Sequence, residues 1–452
     1  MTKPPGRGEK LDLAITGLNH RGQGVGRHGE LVVFVPYACP GDEIRAEVTA
    51  VKRGYATARL LAVTRPSPDR IKPACPVFGN CGGCTLQHIA YGRQLALKTE
   101  LVRDVLTRLG GFKAPVVRPC LGMDDPWGFR GKAGFPVGGR RGRLVAGFYA
   151  AGSHRLVPVE SCPVQHPVNN RIMAEAVRLA TKYGLEPYNE RTGRGTLRHV
   201  LAKVATGTGQ AMAVLVTNQP QLPGGADLAR ELAGRVPELA AVVQNVNPER
   251  TNRVLGRQSQ VLWGAATIED RLGGLRFRIS AESFVQTNPA QAEVTYDLAL
   301  AYAAVGEADT AVDAYCGIGT ITLILARRAR AVYGVENVAA AVADARHNAE
   351  LNDIANAEFI CGDVAEVLPD LARRGVRPAA LVLDPPRKGV APEVVAAALA
   401  MAPARIVYVS CAPATLARDL ARLAAGGYEL VEVQPVDMFP HTAHVEAVAW
   451  LC

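Results

Sequence analysis

Several kinds of segment are missing from this 452-residue chain. There is no run of about eighteen uncharged apolar residues, so no membrane-spanning helix is expected. Met1 to Lys10 is polar and holds no apolar signal region, and a cytoplasmic chain is expected, taken as a monomer. No internal repeat is evident, which sets solenoids and propellers aside. The Gly turn at Gly317-Ile318-Gly319 does not complete a G-x-G-x-x-G motif, which turns the reading away from a nicotinamide cofactor. The C-x3-C-x2-C spacing of radical enzymes is also absent.

What is present suits two or three globular domains, because 48% of the residues are hydrophobic. The net charge of +9 is unevenly placed. Residues 1–165 carry 24 Lys and Arg against 12 Asp and Glu, whereas residues 166–452 carry 27 against 30. A basic front on a near-neutral back suits docking of a polyanion, with nucleic acid the expected partner.

Residues 11–65 read as a small β-barrel of the oligonucleotide-binding kind, with a short apolar strand at Leu31–Val35, a turn at Pro40-Gly41-Asp42 and a period-two strand at Glu43–Val48. Arg65-Pro66-Ser67-Pro68 reads as a linker. Tyr91 to Leu109 has helical spacing, and the stretch from there to about residue 118 is expected to pack back with it on the C-terminal region. Residues 125–270 look mixed α/β. From about residue 273 onward, apolar runs alternate with helical segments, the pattern of a doubly wound parallel sheet. The expected division is 1–68, 69–272 and 273–452.

Four strand tips in the last region carry glycine or an acid. Ala311-Val312-Asp313-Ala314-Tyr315-Cys316-Gly317-Ile318-Gly319 ends a strand in a Gly turn. Val332-Tyr333-Gly334-Val335-Glu336 places a carboxylate where a ribose diol would meet it, and further acids follow at Asp363 and at Asp384-Pro385-Pro386-Arg387. Together they predict a nucleoside-containing cofactor at the carboxyl edge of the sheet, with Asp-Pro-Pro favouring S-adenosylmethionine (SAM). Cys316 reads as packing.

Cys411 sits between the strand Arg405–Ser410 and a helix opened by Pro413, where a thiolate is favoured. A thiol is not needed to methylate nitrogen. It is needed when the acceptor carbon is too electron-poor to attack a sulfonium, and C5 of uracil fits best. Thiolate adds to C6, C5 takes the methyl group, and a separate base removes the C5 proton. Glu446 in His444-Val445-Glu446 is the candidate base. Two other readings predict otherwise: an amino-nitrogen methyltransferase would survive loss of Cys411, and a non-catalytic RNA-binding scaffold would transfer no methyl group.

Cys75, Cys81 and Cys84 have C-x5-C-x2-C spacing, and Cys162 in Ser161-Cys162-Pro163 is a plausible fourth. Spacing alone leaves zinc and an iron–sulfur cluster open. Cys39, Cys120, Cys361 and Cys452 carry no expected role. Arg130, Lys132, Arg198 and His199 are candidate phosphate contacts, and solvated surface charge would explain them equally. Phe135 and Tyr149 read as core residues able to stack on a base.

Ser283-Phe284-Val285-Gln286-Thr287-Asn288, Asp313–Gly317, Asp384–Arg387, Ser410-Cys411 with Thr415–Asp419, and His444–Glu446, in this order, resemble the RNA uracil-5 methyltransferase family along almost the whole chain. The resemblance implies that Gln286, Tyr315, Glu336 and Asp384 contact SAM, that Asp363 lies near the adenine, that Cys411 is the nucleophile and that Glu446 is the base. It implies a TRAM RNA-binding domain at the N-terminus. Members acting on 23S ribosomal RNA carry a [4Fe–4S] cluster on a similar cysteine pattern. A cluster on Cys75, Cys81, Cys84 and Cys162 is therefore expected, with 23S rRNA favoured over tRNA.

Overall fold

The computed structural model describes residues 5–452; the expectation for the first four residues lies outside them. Among the described residues no helix is long and apolar enough to cross a membrane.

The N-terminal barrel has six strands: Lys10–Ala14, Gly17–Leu18, Gln23–His28, Leu31–Pro36, Glu43–Lys52 and Tyr55–Arg65. Period-two alternation puts Leu11, Leu13, Val33, Val35, Ile44 and Val48 inside. Closure comes from one segment. Its first half, Lys10–Ala14, pairs with Glu43–Lys52, and its second, Gly17–Leu18, pairs with Gln23–His28. The expected linker after the barrel is fastened instead. Ser67 is buried and its N–H donates to Asp42, which also takes the Cys39 N–H and the Arg70 guanidinium. A buried carboxylate needs such partners, so residues 65–70 are held to the barrel wall.

The central sheet runs Gln258–Gly264, Leu239–Val246, Ala211–Thr217, Leu197–Val204, Lys132–Arg140, Arg143–Tyr149 and Leu156–Pro158. All seven residues of Ala211–Thr217 are buried, because the sheet is covered on both faces. Helices Pro167–Lys182 and Gly225–Arg235 supply one cover through Ile172, Leu179, Leu228 and Leu232.

The C-terminal sheet has the order Ala357–Cys361, Ala331–Glu336, Thr310–Ala314, Ala380–Leu383, Arg405–Ser410, Glu446–Leu451, Leu430–Val436. Its first five strands are parallel; Glu446–Leu451 runs antiparallel to both neighbours. Strand order reverses at Thr310–Ala314, so a crevice opens beyond its carboxyl end. The reversed last strand starts where its neighbour ends, which brings Glu446 to the same edge as Cys411.

Helix Tyr91–Arg108 leaves the central region and packs on this sheet. Val102 and Leu106 join the core that holds Val433 and Leu420, and the Lys98 ammonium forms a buried ion pair with Asp437. Residues 117 and 121 bridge to Val433 and Val436. The central unit is thus interrupted by a segment that belongs spatially to the C-terminal one.

Candidate functional site

The strand Thr310–Ala314 ends in a turn that demands left-handed backbone. Tyr315 has φ 69°, Gly317 56° and Gly319 85°. A Cβ at Gly319 would lie 3.0 Å from the Phe359 ring, so only glycine fits there. The Glu336 carboxylate accepts from the N–H groups of Gly317 (3.2 Å) and Val338 (2.8 Å), which ties the second strand tip to the Gly turn. Asp363 caps helix Val364–Arg373 by accepting from Ala365 N–H at 2.9 Å. Asp384 N–H donates to Ala314 O at 3.3 Å across the reversal point. Burial pushes the Asp384 carboxyl up to about 7. Asp313 is fully buried and also raised to about 7; its Oδ2 accepts from Thr322 at 2.6 Å, while Oδ1 has no partner.

Gln286 lies half-buried on the segment before helix Pro289–Ala303. That segment is pinned from two sides. The Lys203 ammonium donates to the carbonyls of Ser280, Ala281 and Ser283 at 2.8–2.9 Å, and Gly131 N–H donates to Thr287 O. Gln286 meets the Tyr296 hydroxyl, a buried phenol that faces Asp384, Glu446 and Asp313. Nothing local in the sequence marked Tyr296; its helix reads as ordinary and only the packing turns it inward.

Cys411 is half-buried, one residue before the N-cap of helix Pro413–Ala425. The expectation of a favoured thiolate is corrected. Burial, then the Glu446 charge, push the thiol up, and Arg387 pulls it down by charge and hydrogen bond. Desolvation among carboxyl groups favours the neutral thiol. Glu446 is only 5% exposed and burial holds its carboxyl well above the ordinary range, with Asp384 adding to this and Arg387 opposing it. Cys411, Glu446, Asp384 and Arg387 therefore form one electrostatic group. Arg387 was visible in the Asp-Pro-Pro-Arg motif, but its task beside the thiol came only from the fold.

Cys75, Cys81, Cys84 and Cys162 all line one cavity of about 320 Å³. Burial raises Cys84 to about 12, and Cys162, Cys81 and Cys75 add to it by charge. Among the described residues no three His, Cys, Asp or Glu side chains are grouped as ligands of a single ion.

The other candidates fall differently. Arg198 is buried, donates to the carbonyls of Asn247 and Glu249, and stacks on Tyr188, so it braces the central sheet and does not face a phosphate. His199 is half-buried, with burial pushing it down to about 4. Arg130 and Lys132 line the cysteine cavity, and the Lys132 ammonium sits 5.2 Å from the exposed Phe284 ring. Phe135 is core; Tyr149 is half-buried, and its hydroxyl bonds Glu190. Cys39, Cys120 and Cys316 are buried, whereas Cys361 and Cys452 are exposed.

A parallel sheet of this order, with a Gly turn and acids at successive strand tips, defines a class I SAM-dependent methyltransferase joined to a TRAM barrel. Residues 250–452 match the tRNA (Uracil-5-)-methyltransferase family and residues 6–61 the TRAM domain. An RNA methyltransferase of Halalkalibacterium halodurans is 47% identical over 448 residues, covering 99% of this chain and 98% of its own length. One of Bacillus cereus is 46% identical over 451 residues, covering 100% and 98%. A Pyrococcus abyssi tRNA (uracil-54, C5)-methyltransferase, solved with S-adenosyl-L-homocysteine, superposes with a TM-score of 0.78 at 28% identity, over 98% of this chain and 100% of that one. The chain belongs to the RNA uracil-5 methyltransferase family, SAM-dependent enzymes that act on RNA.

Proposed function

We propose that this protein methylates C5 of a uridine in 23S rRNA through Cys411 and Glu446. The observation that carries the reading is the grouping of Cys411, Glu446, Asp384 and Arg387 at the switch-point edge. Arg387 stabilises the Cys411 thiolate as it adds to C6 of the uracil. The negative charge that develops on the ring makes C5 a nucleophile, and C5 takes the methyl group of SAM, leaving S-adenosylhomocysteine. Glu446, as carboxylate, removes the C5 proton, and the C6–Sγ bond breaks to free the thiol. Gln286, Tyr315, Glu336 and Asp384 hold SAM, with Asp363 beside the adenine.

The four-cysteine cavity is read as the site of a [4Fe–4S] cluster rather than zinc, on the likeness of its cysteine pattern to that of the rRNA-modifying members of the family. Cys75, Cys81, Cys84 and Cys162 would hold it as thiolates and leave no iron open, so its role is structural or RNA-positioning.

The TRAM barrel and the cysteine cavity favour rRNA; the likeness to a tRNA (uracil-54, C5)-methyltransferase keeps tRNA as the second reading. RNA containing 5-fluorouridine blocks the last proton removal and should trap a covalent adduct on Cys411. An active Cys411→Ala enzyme, or labelled RNA with no adduct, overturns the chemistry. Mapping 5-methyluridine in 23S rRNA and tRNA from cells with and without the protein decides the substrate.

A further inference from the structure

The turn that delivers Glu446 is gripped from outside the catalytic sheet. His441, five residues upstream, is 3% exposed and has φ 64°, a left-handed conformation that strains a non-glycine residue. Its carbonyl accepts two N–H groups, from Thr85 and Leu86, both at 2.9 Å. Ala443 N–H donates back to the Thr85 hydroxyl at 3.2 Å. Gln94, fully buried, accepts from His441 N–H at 3.1 Å. The His441 ring is stacked on Trp127 with centroids 4.0 Å apart. Thr85 directly follows Cys84, so the clasp joins the wall of the cysteine cavity to the strand that starts at Glu446.

A strained turn persists only where its surroundings hold it. Two of these four bonds are backbone to backbone and would survive side-chain changes. Of the two side-chain acceptors, Gln94 holds His441, and the Thr85 hydroxyl holds Ala443, three residues from the base. Cys411 follows a different strand, Arg405–Ser410, whereas the hydrogen bonds of Thr85 go to His441 and Ala443. We propose that Thr85 is a positioning residue for Glu446: it acts on the second half of the reaction, removal of the C5 proton and release of RNA, and not on thiol addition or methyl transfer. This rests on the reading of Glu446 as the base.

The test follows the two halves separately. Thr85→Val keeps the shape of the side chain and removes its acceptor; Thr85→Ser keeps the acceptor. Holoenzymes are mixed with labelled SAM and unmodified 23S rRNA or tRNA transcripts, and first-turnover methyl transfer, covalent methylated adduct and free product are measured. Thr85→Val should transfer the first methyl group at close to the wild-type rate, accumulate adduct and release product on the order of tenfold more slowly, the scale of a modest misplacement of a catalytic group. Thr85→Ser should restore release. Glu446→Gln runs alongside and should accumulate more adduct than Thr85→Val. If Glu446→Gln accumulates adduct and Thr85→Val does not, or if Thr85→Val slows transfer and release equally, the positioning role is overturned while the base stands. If Glu446→Gln accumulates none, the base reading falls and takes this inference with it.

Discussion

Cys411 and Cys84 are both half-buried free thiols that burial raises above their ordinary value, yet their neighbours differ. Beside Cys411 stands the Arg387 guanidinium, which lowers the thiol against two carboxyl groups that raise it. Beside Cys84 stand Cys162, Cys81 and Cys75, each of which raises it further. One thiol paired with one cation can ionise by itself when a ring carbon is there to take it. Four thiols facing one cavity hinder each other, and the two cations on its wall, Arg130 and Lys132, are too few to hold all four ionised without a further cationic group. On the roles proposed above, the nucleophile and the ligand set differ in how much opposite charge the fold sets beside each thiol.

The largest expected effect separates the two thiols. Cys411→Ala should abolish turnover, a loss of at least about a thousandfold, with the thermal midpoint unchanged. Cys84→Ala should do the reverse in kind: iron content and visible absorption fall, and the thermal midpoint drops by about 5 °C or more, because a structural metal group stabilises the fold directly. Metal analysis and calorimetry on anaerobically purified protein check both. An Arg387→Met enzyme tests the charge argument. With the guanidinium gone the Cys411 thiol rises further, so adduct formation on 5-fluorouridine RNA should slow about ten- to a hundredfold near neutral pH. Its rise with pH should move to more alkaline values, while Arg387→Lys keeps part of the effect.

A smaller effect concerns Asp384, raised to about 7 by burial. The sulfonium of SAM favours the carboxylate. Binding should therefore release a proton when the pH is below about 7, and affinity should rise as pH climbs through that range. Calorimetric titration in buffers of different ionisation enthalpy measures the proton, and Asp384→Asn should flatten the dependence. The smallest effect belongs to Cys316, a cysteine of the Gly turn that is neither the proposed nucleophile nor one of the four cavity thiols. Cys316 is buried beside the Gly turn, so Cys316→Ser should cost about 1–2 kcal/mol of stability for an added buried hydroxyl, read by denaturant unfolding, and leave adduct formation intact.

The catalytic sheet was legible because its chemistry sits at strand tips, and a strand tip is a local event. An apolar run such as Leu381–Leu383 ends in Asp384 whatever the rest of the chain does, and the turn at Gly317 and Gly319 is marked by its closely spaced glycines. The barrel and the helix Tyr91–Arg108 were legible for the same reason, through period two and helical spacing. Arg198 was misread because a guanidinium looks alike in sequence whether it meets phosphate or the carbonyls of Asn247 and Glu249. The 65–68 segment was misread because Asp42, which fastens it, lies more than twenty residues upstream.

By itself the amino-acid order determined which side chains are available and in what local geometry: a thiol after a strand, a carboxylate on a proline-stiffened turn, three cysteines in a short loop. Tertiary structure decided which of them meet. Only the antiparallel last strand brings Glu446 to the edge where Cys411 ends, only the fold sets Arg387 against that thiol, and only packing of distant loops completes the cavity with Cys162 and clasps Thr85 to the turn before Glu446. Those contacts depend on burial and charge summed over neighbours far apart in the chain, which no local pattern encodes.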